Sequence, residues 1–114
     1  MTDKNEFFSN QLLELRRGTI VLAILSQLRI PRYGYGLLQI LEQAQVPIDA
    51  GTLYPLLRRL EKQGVLESSW DTSEARPRKY YRLSDNGERL YSELVQEWAF
   101  MTENITKMIG ESND

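Results

Sequence analysis

The sequence lacks both cysteine and histidine. Their absence excludes disulfides and thiolate nucleophiles, and it removes the usual ligands of zinc and copper and the side chain best suited to proton transfer near neutral pH. The chain also has no glycine-rich phosphate loop, and no Ser/Lys or paired-carboxylate spacing that would indicate a catalytic site. We therefore expect a protein that is not an enzyme and that uses no metal and no cofactor.

Long apolar runs are missing as well. No run approaches the roughly eighteen residues that span a bilayer, and the acidic segment from Met1 to Glu6 has no basic stretch that could begin a signal peptide. The composition, 41% apolar and 26% charged, is ordinary for a globular protein. We expect a cytoplasmic protein with no membrane partner, built as one compact domain whose small core a second copy would help to complete.

Positive charge is not in excess overall, because the formal net charge is −2. Its distribution is nevertheless uneven. Residues 52–82 carry seven bases against four acids, a balance of +3, whereas residues 83–114 carry two bases against seven acids, a balance of −5. A chain with such a cationic middle segment can meet phosphate despite its acidic total.

Apolar spacing predicts a first helix from Gln11 to Gln27 and a second from Tyr35 to Gln43, with a turn at residues 33–36 between them. The residues expected to form a wide buried face on the first helix are Leu12, Leu13, Ile20, Val21, Ile24, Leu25 and Leu28.

A third helix should end at Gly64, a natural C-terminal stop. Its N-cap is either Asp49 or Thr52. If Thr52 caps the helix, Pro55 falls in the first turn, where its missing N–H is tolerated; if Asp49 caps it, Pro55 should distort the early helix.

Residues 65–70 and 78–83 have the composition of two strands, joined by a polar turn at residues 71–77. In the second strand one face carries Arg78, Tyr80 and Arg82, and the other carries Lys79, Tyr81 and Leu83. We therefore predict a mainly α fold with a small β-hairpin. The order of three helices and a hairpin is that of a winged helix-turn-helix.

A last helix is expected from Asp85 to Ile109, with Ser84 as its cap. Spacings of 3, 4, 3, 4 and 3 relate the apolar residues Tyr91, Leu94, Trp98, Met101, Ile105 and Met108. This alternation is typical of a coiled-coil seam, and it covers about two and a half heptads. The stripe can pack on a second copy, which we favour, or on its own subunit.

In a winged helix-turn-helix the third helix enters the DNA major groove through its first residues, and the hairpin, or wing, touches the backbone or the minor groove. The early residues here are Gly51, Thr52, Tyr54, Pro55 and Arg58. Arg78 and Lys79 of the wing would neutralise phosphates.

Each of these residues also has a structural interpretation. Tyr54 can be half-buried packing, while Arg58 and Arg59 can be a solvated helix face. Charges on the wing can simply protect a sheet edge. Tyr80 and Tyr81 fit packing better than base stacking, and Arg16 and Arg17 could hold either a phosphate or a helix-end carboxylate.

Trp98 lies on the apolar stripe of the last helix. At a dimer seam it can be plain interface packing or one wall of a pocket for a flat hydrophobic ligand. Packing is the simpler interpretation, and both remain open.

The chain resembles the PadR family of transcriptional regulators. The motifs that carry the resemblance are Leu15-Arg16-Arg17-Gly18-Thr19, Tyr33-Gly34-Tyr35, Gly51-Thr52-Leu53-Tyr54-Pro55, Leu57-Arg58-Arg59-Leu60-Glu61-Lys62 and Arg78-Lys79-Tyr80-Tyr81-Arg82-Leu83. A single C-terminal helix is also found in the short subfamily, which the chain resembles in this respect. Glu97-Trp98 resembles the corresponding segment of that subfamily's multidrug-responsive LmrR type.

The resemblance implies a homodimeric repressor that binds palindromic double-stranded operator DNA and is released by a planar hydrophobic or aromatic effector. The implied DNA-binding residues are Tyr35, Gly51, Thr52, Tyr54, Pro55, Arg58, Arg59, Lys62, Arg78 and Lys79. The implied dimer and ligand pocket comprises Phe8, Leu12, Tyr91, Leu94, Trp98, Met101 and Ile105. We expect residues 1–84 to form the DNA-binding domain, with the first helix contributing to the dimer, and residues 85–114 to form the dimerisation helix. The alternative is a winged-helix module that binds a protein and ignores DNA.

Overall fold

A computed structural model of the chain describes residues 4–46 and 48–112. These residues form four helices and a three-stranded sheet. The helices are α1 (Lys4–Ser26), α2 (Gly34–Gln43), α3 (Ala50–Lys62) and α4 (Asp85–Ser112), and the strands are β1 (Arg32–Tyr33), β2 (Leu66–Asp71) and β3 (Arg78–Leu83). The predicted fold class is confirmed, with one strand more than the sequence indicated.

The first helix begins at Lys4, well before the predicted start at Gln11. Leu12 and Leu13, which were expected to be buried, are 51% and 48% exposed. The prediction of a wide buried face was wrong for this part of α1, because the core reaches only the C-terminal half of the helix, where Ile24 and Leu25 are fully buried. The N-terminal half extends past the core into solvent.

Asp49 is the N-cap of α3, and its Oδ1 accepts a hydrogen bond from the backbone N–H of Thr52 at 2.8 Å. The helix nevertheless continues through Pro55, so the disruption expected with this cap does not interrupt it. Pro55 lacks the N–H that would bond the carbonyl of Gly51 one turn earlier, and Gly51 is exposed to water, which can satisfy that carbonyl.

The strand order in the sheet is β1-β3-β2, and both pairings are antiparallel. Residue 33, which was predicted to lie in a turn, belongs to β1: Tyr33 pairs with Tyr80 and Arg32 with Tyr81. A two-residue strand shows no alternation that sequence could reveal, and its existence depends on the partner strand. The predicted faces of β3 are correct, since Tyr81 and Leu83 are buried while Arg82 is exposed.

One apolar core joins α1, α2, α3 and the sheet. Its buried residues are Ile24, Leu25, Leu28, Leu37, Leu38, Leu41, Ile48, Leu53, Leu57, Leu60, Leu66, Tyr81 and Leu83. Burial of such aliphatic side chains is the dominant favourable contribution to folding. The core therefore fixes α3 against the sheet and sets the position of the wing formed by β2, β3 and their turn.

The start of α4 packs against the root of the wing. Ser84 accepts a hydrogen bond from the N–H of Gly87 at 2.9 Å, which confirms it as the cap, and its hydroxyl donates to the carbonyl of Gly64 at 2.6 Å. A Cβ on Gly87 would lie 2.1 Å from the carbonyl oxygen of Val65, so this contact requires glycine. Beyond Leu94 the helix leaves the core, and residues 95–111 are exposed.

Candidate nucleic-acid interface

The candidate recognition surface of α3 is its solvent face. Leu53, Leu57 and Leu60 turn one side of the helix into the core, and the cationic side chains Arg58, Arg59 and Lys62 lie exposed on the rest of the cylinder. Within residues 4–46 and 48–112, none of these three charges forms an ion pair. They are available to an anion from outside the chain.

At the start of α3, Gly51, Thr52 and Pro55 are exposed. Tyr54 is half-buried, and its ring lies against Gly34 at the start of α2: a Cβ on Gly34 would come within 2.4 Å of the ring carbon Cε1. The packing interpretation of Tyr54 therefore holds for the body of its ring. Small and polar groups at this end leave the backbone of the helix open to close approach by a ligand.

Strand β1 creates an aromatic cluster that the sequence did not reveal. The ring centroid of Tyr33 lies 5.7 Å from that of Tyr80 and 6.4 Å from that of exposed Tyr35. The guanidinium carbon of Arg78 lies 4.8 Å from the Tyr33 centroid, within the range of a cation–π contact. Arg78 also meets the Glu74 carboxylate at 3.8 Å, an exposed and therefore weak pair. The only sequence signal for Tyr33 was its place beside Tyr35 in a Tyr-Gly-Tyr motif.

A groove of about 650 Å³ separates the wing from the starts of α2 and α3. Its lining combines aromatic rings with cations: Tyr33, Gly34, Tyr35, Tyr54, Trp70, Arg76, Pro77, Arg78, Lys79 and Tyr81. Four of the ten predicted site residues meet here, and the other six, all on α3, do not line the groove. Trp70 and Arg76 were not in the predicted site, because the expected hairpin gave no reason to place β2 or the wing turn beside α2.

Lys79 differs from the other cations of the wing because it is half-buried and paired. Its Nζ lies 3.0 Å from Oε1 of Glu61 in α3, and the hydroxyl of Ser68 in β2 donates to Oε2 of the same carboxylate. The Ser68 hydrogen bond and then Lys79 lower the pKa of Glu61, and the Glu61 carboxylate raises the pKa of Lys79. Both groups are held in their charged forms.

Arginines elsewhere are also engaged with carboxylates. Arg17 pairs with Glu14 at 3.1 Å on the surface of α1, and this carboxylate lies within the helix and not at its end. Across the wing, Arg82 meets Glu67 at 3.3 Å. Exposed pairs of this kind contribute little to stability and exchange partners readily.

The apolar stripe of α4 divides at Leu94. Tyr91 and Leu94 pack against the domain's own core, whereas Trp98, Met101, Ile105 and Met108 are exposed. Trp98 and Met101 line a shallow cavity of about 200 Å³ between α1 and α4. Phe8, Leu12, Tyr91 and Ile105 do not line that cavity, so one chain does not bring the predicted pocket together.

Two further findings concern other kinds of site. Among the residues that the structure describes, no helix has the length and apolar character needed to cross a membrane. Nor do the described carboxylates form a group of three or more that could hold a metal ion.

A sequence model of the transcriptional regulator PadR-like family matches residues 21–93 of the chain. The chain belongs to this family. The matched segment contains the aromatic cluster, α3, the wing and the start of α4, but it ends before Trp98.

Solved PadR-family structures have the same fold. The chain is similar to a PadR family transcriptional regulator from Eggerthella lenta, with 48% identity, a TM-score of 0.85 and coverage of 92% of this chain and 94% of that one. A PadR-like transcription factor from Bacteroides fragilis is 34% identical with a TM-score of 0.72, covering 87% of this chain and 98% of that one. An uncharacterized protein from Lysinibacillus sphaericus is 41% identical over 78 residues, which make up 65% of this chain and 72% of that protein.

Proposed function

We propose that this PadR-family protein is a homodimeric repressor that binds palindromic operator DNA through α3 and the wing and is released by a planar hydrophobic effector. Two features together support DNA binding: α3 carries exposed cations that form no ion pair, and the groove beside the wing is lined by aromatic rings and further cations. Both features lie on one side of a winged helix.

The first residues of α3 would enter the major groove. Thr52 and Arg58 offer a hydroxyl and a guanidinium to base edges, and exposed Gly51 lets the backbone come close to the DNA. Arg59 and Lys62, farther along the helix, would meet phosphates, which set the register without reading the sequence. The predicted set of contacts therefore divides into base-reading residues at the start of α3 and positioning residues along it.

On the wing, Arg76 and Arg78 flank Pro77 at the mouth of the groove. A sugar-phosphate backbone passing between the wing and α3 would meet these cations, with Tyr35 and Trp70 exposed beside it. Each phosphate so contacted steepens the salt dependence of binding.

Dimerisation is proposed from the apolar surface that one copy leaves uncovered. The exposed large apolar residues assigned to this surface are Phe7, Phe8, Leu12, Leu13 and Leu15 on α1 and Val95, Trp98, Met101, Ile105, Met108 and Ile109 on α4. So many exposed large apolar side chains are rare on a monomer and are typical of an interface. Paired α4 helices would hold two copies of α3 about one turn of DNA apart.

The effector is proposed to bind where Trp98 meets its symmetry mate. Trp98 is 45% exposed at the edge of the cavity between α1 and α4, so a second copy would enclose it. A flat aromatic compound could stack there, as expected of the short LmrR type. Release follows only if the compound binds better to a dimer whose two α3 helices are wrongly spaced for the operator.

A mobility-shift titration with the DNA upstream of the protein's own gene tests DNA binding. We expect retardation that Arg58→Gln weakens and that Arg89→Gln leaves unchanged, because Arg89 is also exposed but lies on α4. The competing function is a protein-binding module, favoured by the net charge of −2 and the pI of 5.2. Equal, weak binding to upstream and unrelated DNA would favour that module.

Fluorescence tests the effector separately. A planar aromatic dye should quench the wild-type protein and should quench a Trp98→Phe variant much less, since that variant retains only Trp70. Equal quenching of the two proteins would rule out the pocket at Trp98 and leave the DNA-binding proposal intact.

A further inference from the structure

We propose that Glu61 is a positioning residue that, together with Ser68 and Lys79, fixes the wing relative to α3. In this arrangement Lys79 supports operator binding through Glu61 and does not itself meet a phosphate. The inference rests on the proposed DNA-binding function, and it assigns to the acidic residue of the recognition helix a part in that function.

The contact joins three separate elements. Glu61 lies in the last turn of α3, Ser68 lies within β2, and Lys79 lies within β3. Each carboxylate oxygen of Glu61 has its own donor: the Ser68 hydroxyl meets Oε2, and the Lys79 ammonium meets Oε1 at 3.0 Å. A charge-assisted hydrogen bond of this kind is stronger and more directional than a neutral one. The wing is therefore tied to α3 by both of its strands.

This contact spans the joint between helix and wing. Only three residues connect α3 to β2, and Gly64 among them has a φ of 81°, a conformation that favours glycine. The base-reading residues at the start of α3 and the cations Arg76 and Arg78 at the wing tip lie far from this joint. A strand of six residues is about 20 Å long, so a change of about 10° at the joint would move the wing tip by about 3 Å. That displacement is enough to break a hydrogen bond to DNA.

Burial separates this pair from the other ion pairs of the described residues. The side chains of Lys79 and Glu61 are 27% and 31% exposed, whereas both partners of every other pair found there are more exposed. Lys79 Nζ also lies 5.0 Å from the ring centroid of buried Tyr81. Moving Lys79 out to a phosphate would break these contacts and leave the Glu61 carboxylate uncompensated close to DNA.

Other cations of α3 and the wing can meet phosphates, so Lys79 does not need to leave Glu61. Arg58, Arg59, Lys62 and Arg76 are exposed and form no ion pair with a described residue. The raised pKa of Lys79 and the lowered pKa of Glu61 agree with a pair that stays closed. Phosphate contacts and the contact that sets the wing are thus assigned to different residues.

Glu61→Met, Lys79→Met and the double variant test the assignment by the sign of their effects. If the pair positions the wing, both single changes should weaken operator binding by a similar factor, about tenfold, and the double variant should be no weaker than either, as expected for residues that act as one unit. The slope of log affinity against log salt should stay that of the wild type. If Lys79 instead meets a phosphate, Lys79→Met should reduce that slope by about 0.9 per contact, and Glu61→Met, which removes a negative charge, should strengthen binding.

Opposite signs for the two single variants, or wild-type affinity in both, would overturn the assignment. Arg59→Gln supplies the slope control, because it removes a proposed phosphate contact and should reduce the slope. Thermal melting identifies any methionine variant that fails to fold. In that case Ser68→Ala carries the test, since it keeps both charges: weaker operator binding with an unchanged slope supports the positioning role, and unchanged binding refutes it. Failure of the wild-type chain to bind DNA would refute the proposed function and, with it, the role of Glu61.

Discussion

Replacement of Ile105 by alanine should weaken the proposed dimer without unfolding the chain. Ile105 is 53% exposed in one copy and lies on the stripe of α4, beyond the part that packs on the domain's own core. Complete burial of such a side chain stabilises by about 1.5–3 kcal/mol, so burial of its exposed half in the dimer contributes about 1 kcal/mol per copy. The alanine variant loses this contribution. A two-fold interface contains the residue twice. The expected loss is about 2 kcal/mol, or a roughly 30-fold rise in the dimer dissociation constant.

Sedimentation equilibrium over a range of concentrations measures this constant directly. Phe100→Ala is the matched control: Phe100 is 60% exposed on the same helix, but it follows Trp98 by two positions and so lies about 200° farther round the helix. Its replacement should leave the dissociation constant almost unchanged. The reasoning is refuted if Ile105→Ala dimerises as tightly as the wild type, or if Phe100→Ala weakens the dimer equally.

Three further predictions concern the DNA-binding domain. Gly34→Ala should displace the ring of Tyr54, and the free energy of operator binding that it loses should exceed the free energy of folding that it loses. An unchanged affinity in the mobility-shift assay would contradict the packing described for that ring. Gly87→Ala places a Cβ 2.1 Å from the main-chain oxygen of Val65 and should destabilise the fold by about 3 kcal/mol. Gly110→Ala is the control, because its Cβ meets nothing within 4 Å and the change should be neutral or slightly stabilising. Equal melting temperatures of these two variants would refute the contact at Gly87. Because the pKa of Glu61 is lowered in the fold, its contribution to the free energy of unfolding is complete above about pH 4.3 and is lost as the pH falls through the lowered pKa. The wild type and Glu61→Met should therefore differ in melting temperature at pH 7 and converge in acid. A constant difference down to pH 2 would contradict this.

Much of the fold could be predicted from local patterns. The leucine spacing of α3 marks its buried face, Gly64 marks the end of that helix region, and alternation in β3 places Tyr81 and Leu83 inside. These features depend on the period of a helix or a strand, which sequence displays directly. Ser84 was recognisable as a cap for the same reason, because capping is a local interaction.

What sequence missed depends on contacts between distant segments. Strand β1 has two residues, and it exists because Tyr33 and Arg32 meet β3 nearly fifty residues later. The burial of α1 was overestimated because apolar spacing shows that a face is apolar but not whether one copy of the chain covers it. Leu12 shows the difference, since its spacing suits burial and its side chain lies in solvent.

The same limit applies to the site. Tyr35, Arg58 and Arg78 could be proposed from residue type and family resemblance, but the pairing of Lys79 with Glu61 could not, because 18 residues separate them in sequence and the wing brings them together. Charge type alone suggested that Lys79 meets phosphate. The geometry supports a positioning role instead, and that role remains to be tested by the sign of the mutational effects.

Hydroxyl-radical footprinting on the DNA upstream of the protein's own gene tests the central claim most directly, because it reports DNA binding and the spacing of two copies at once. A dimer that places two α3 helices in successive major grooves should protect two symmetry-related patches on one face of the duplex, with centres about one helical turn apart. The Ile105→Ala variant should lose both patches together at a concentration where the wild type still protects them. A uniform cleavage pattern, or one patch without a symmetry mate, would contradict the proposed dimeric operator-binding protein.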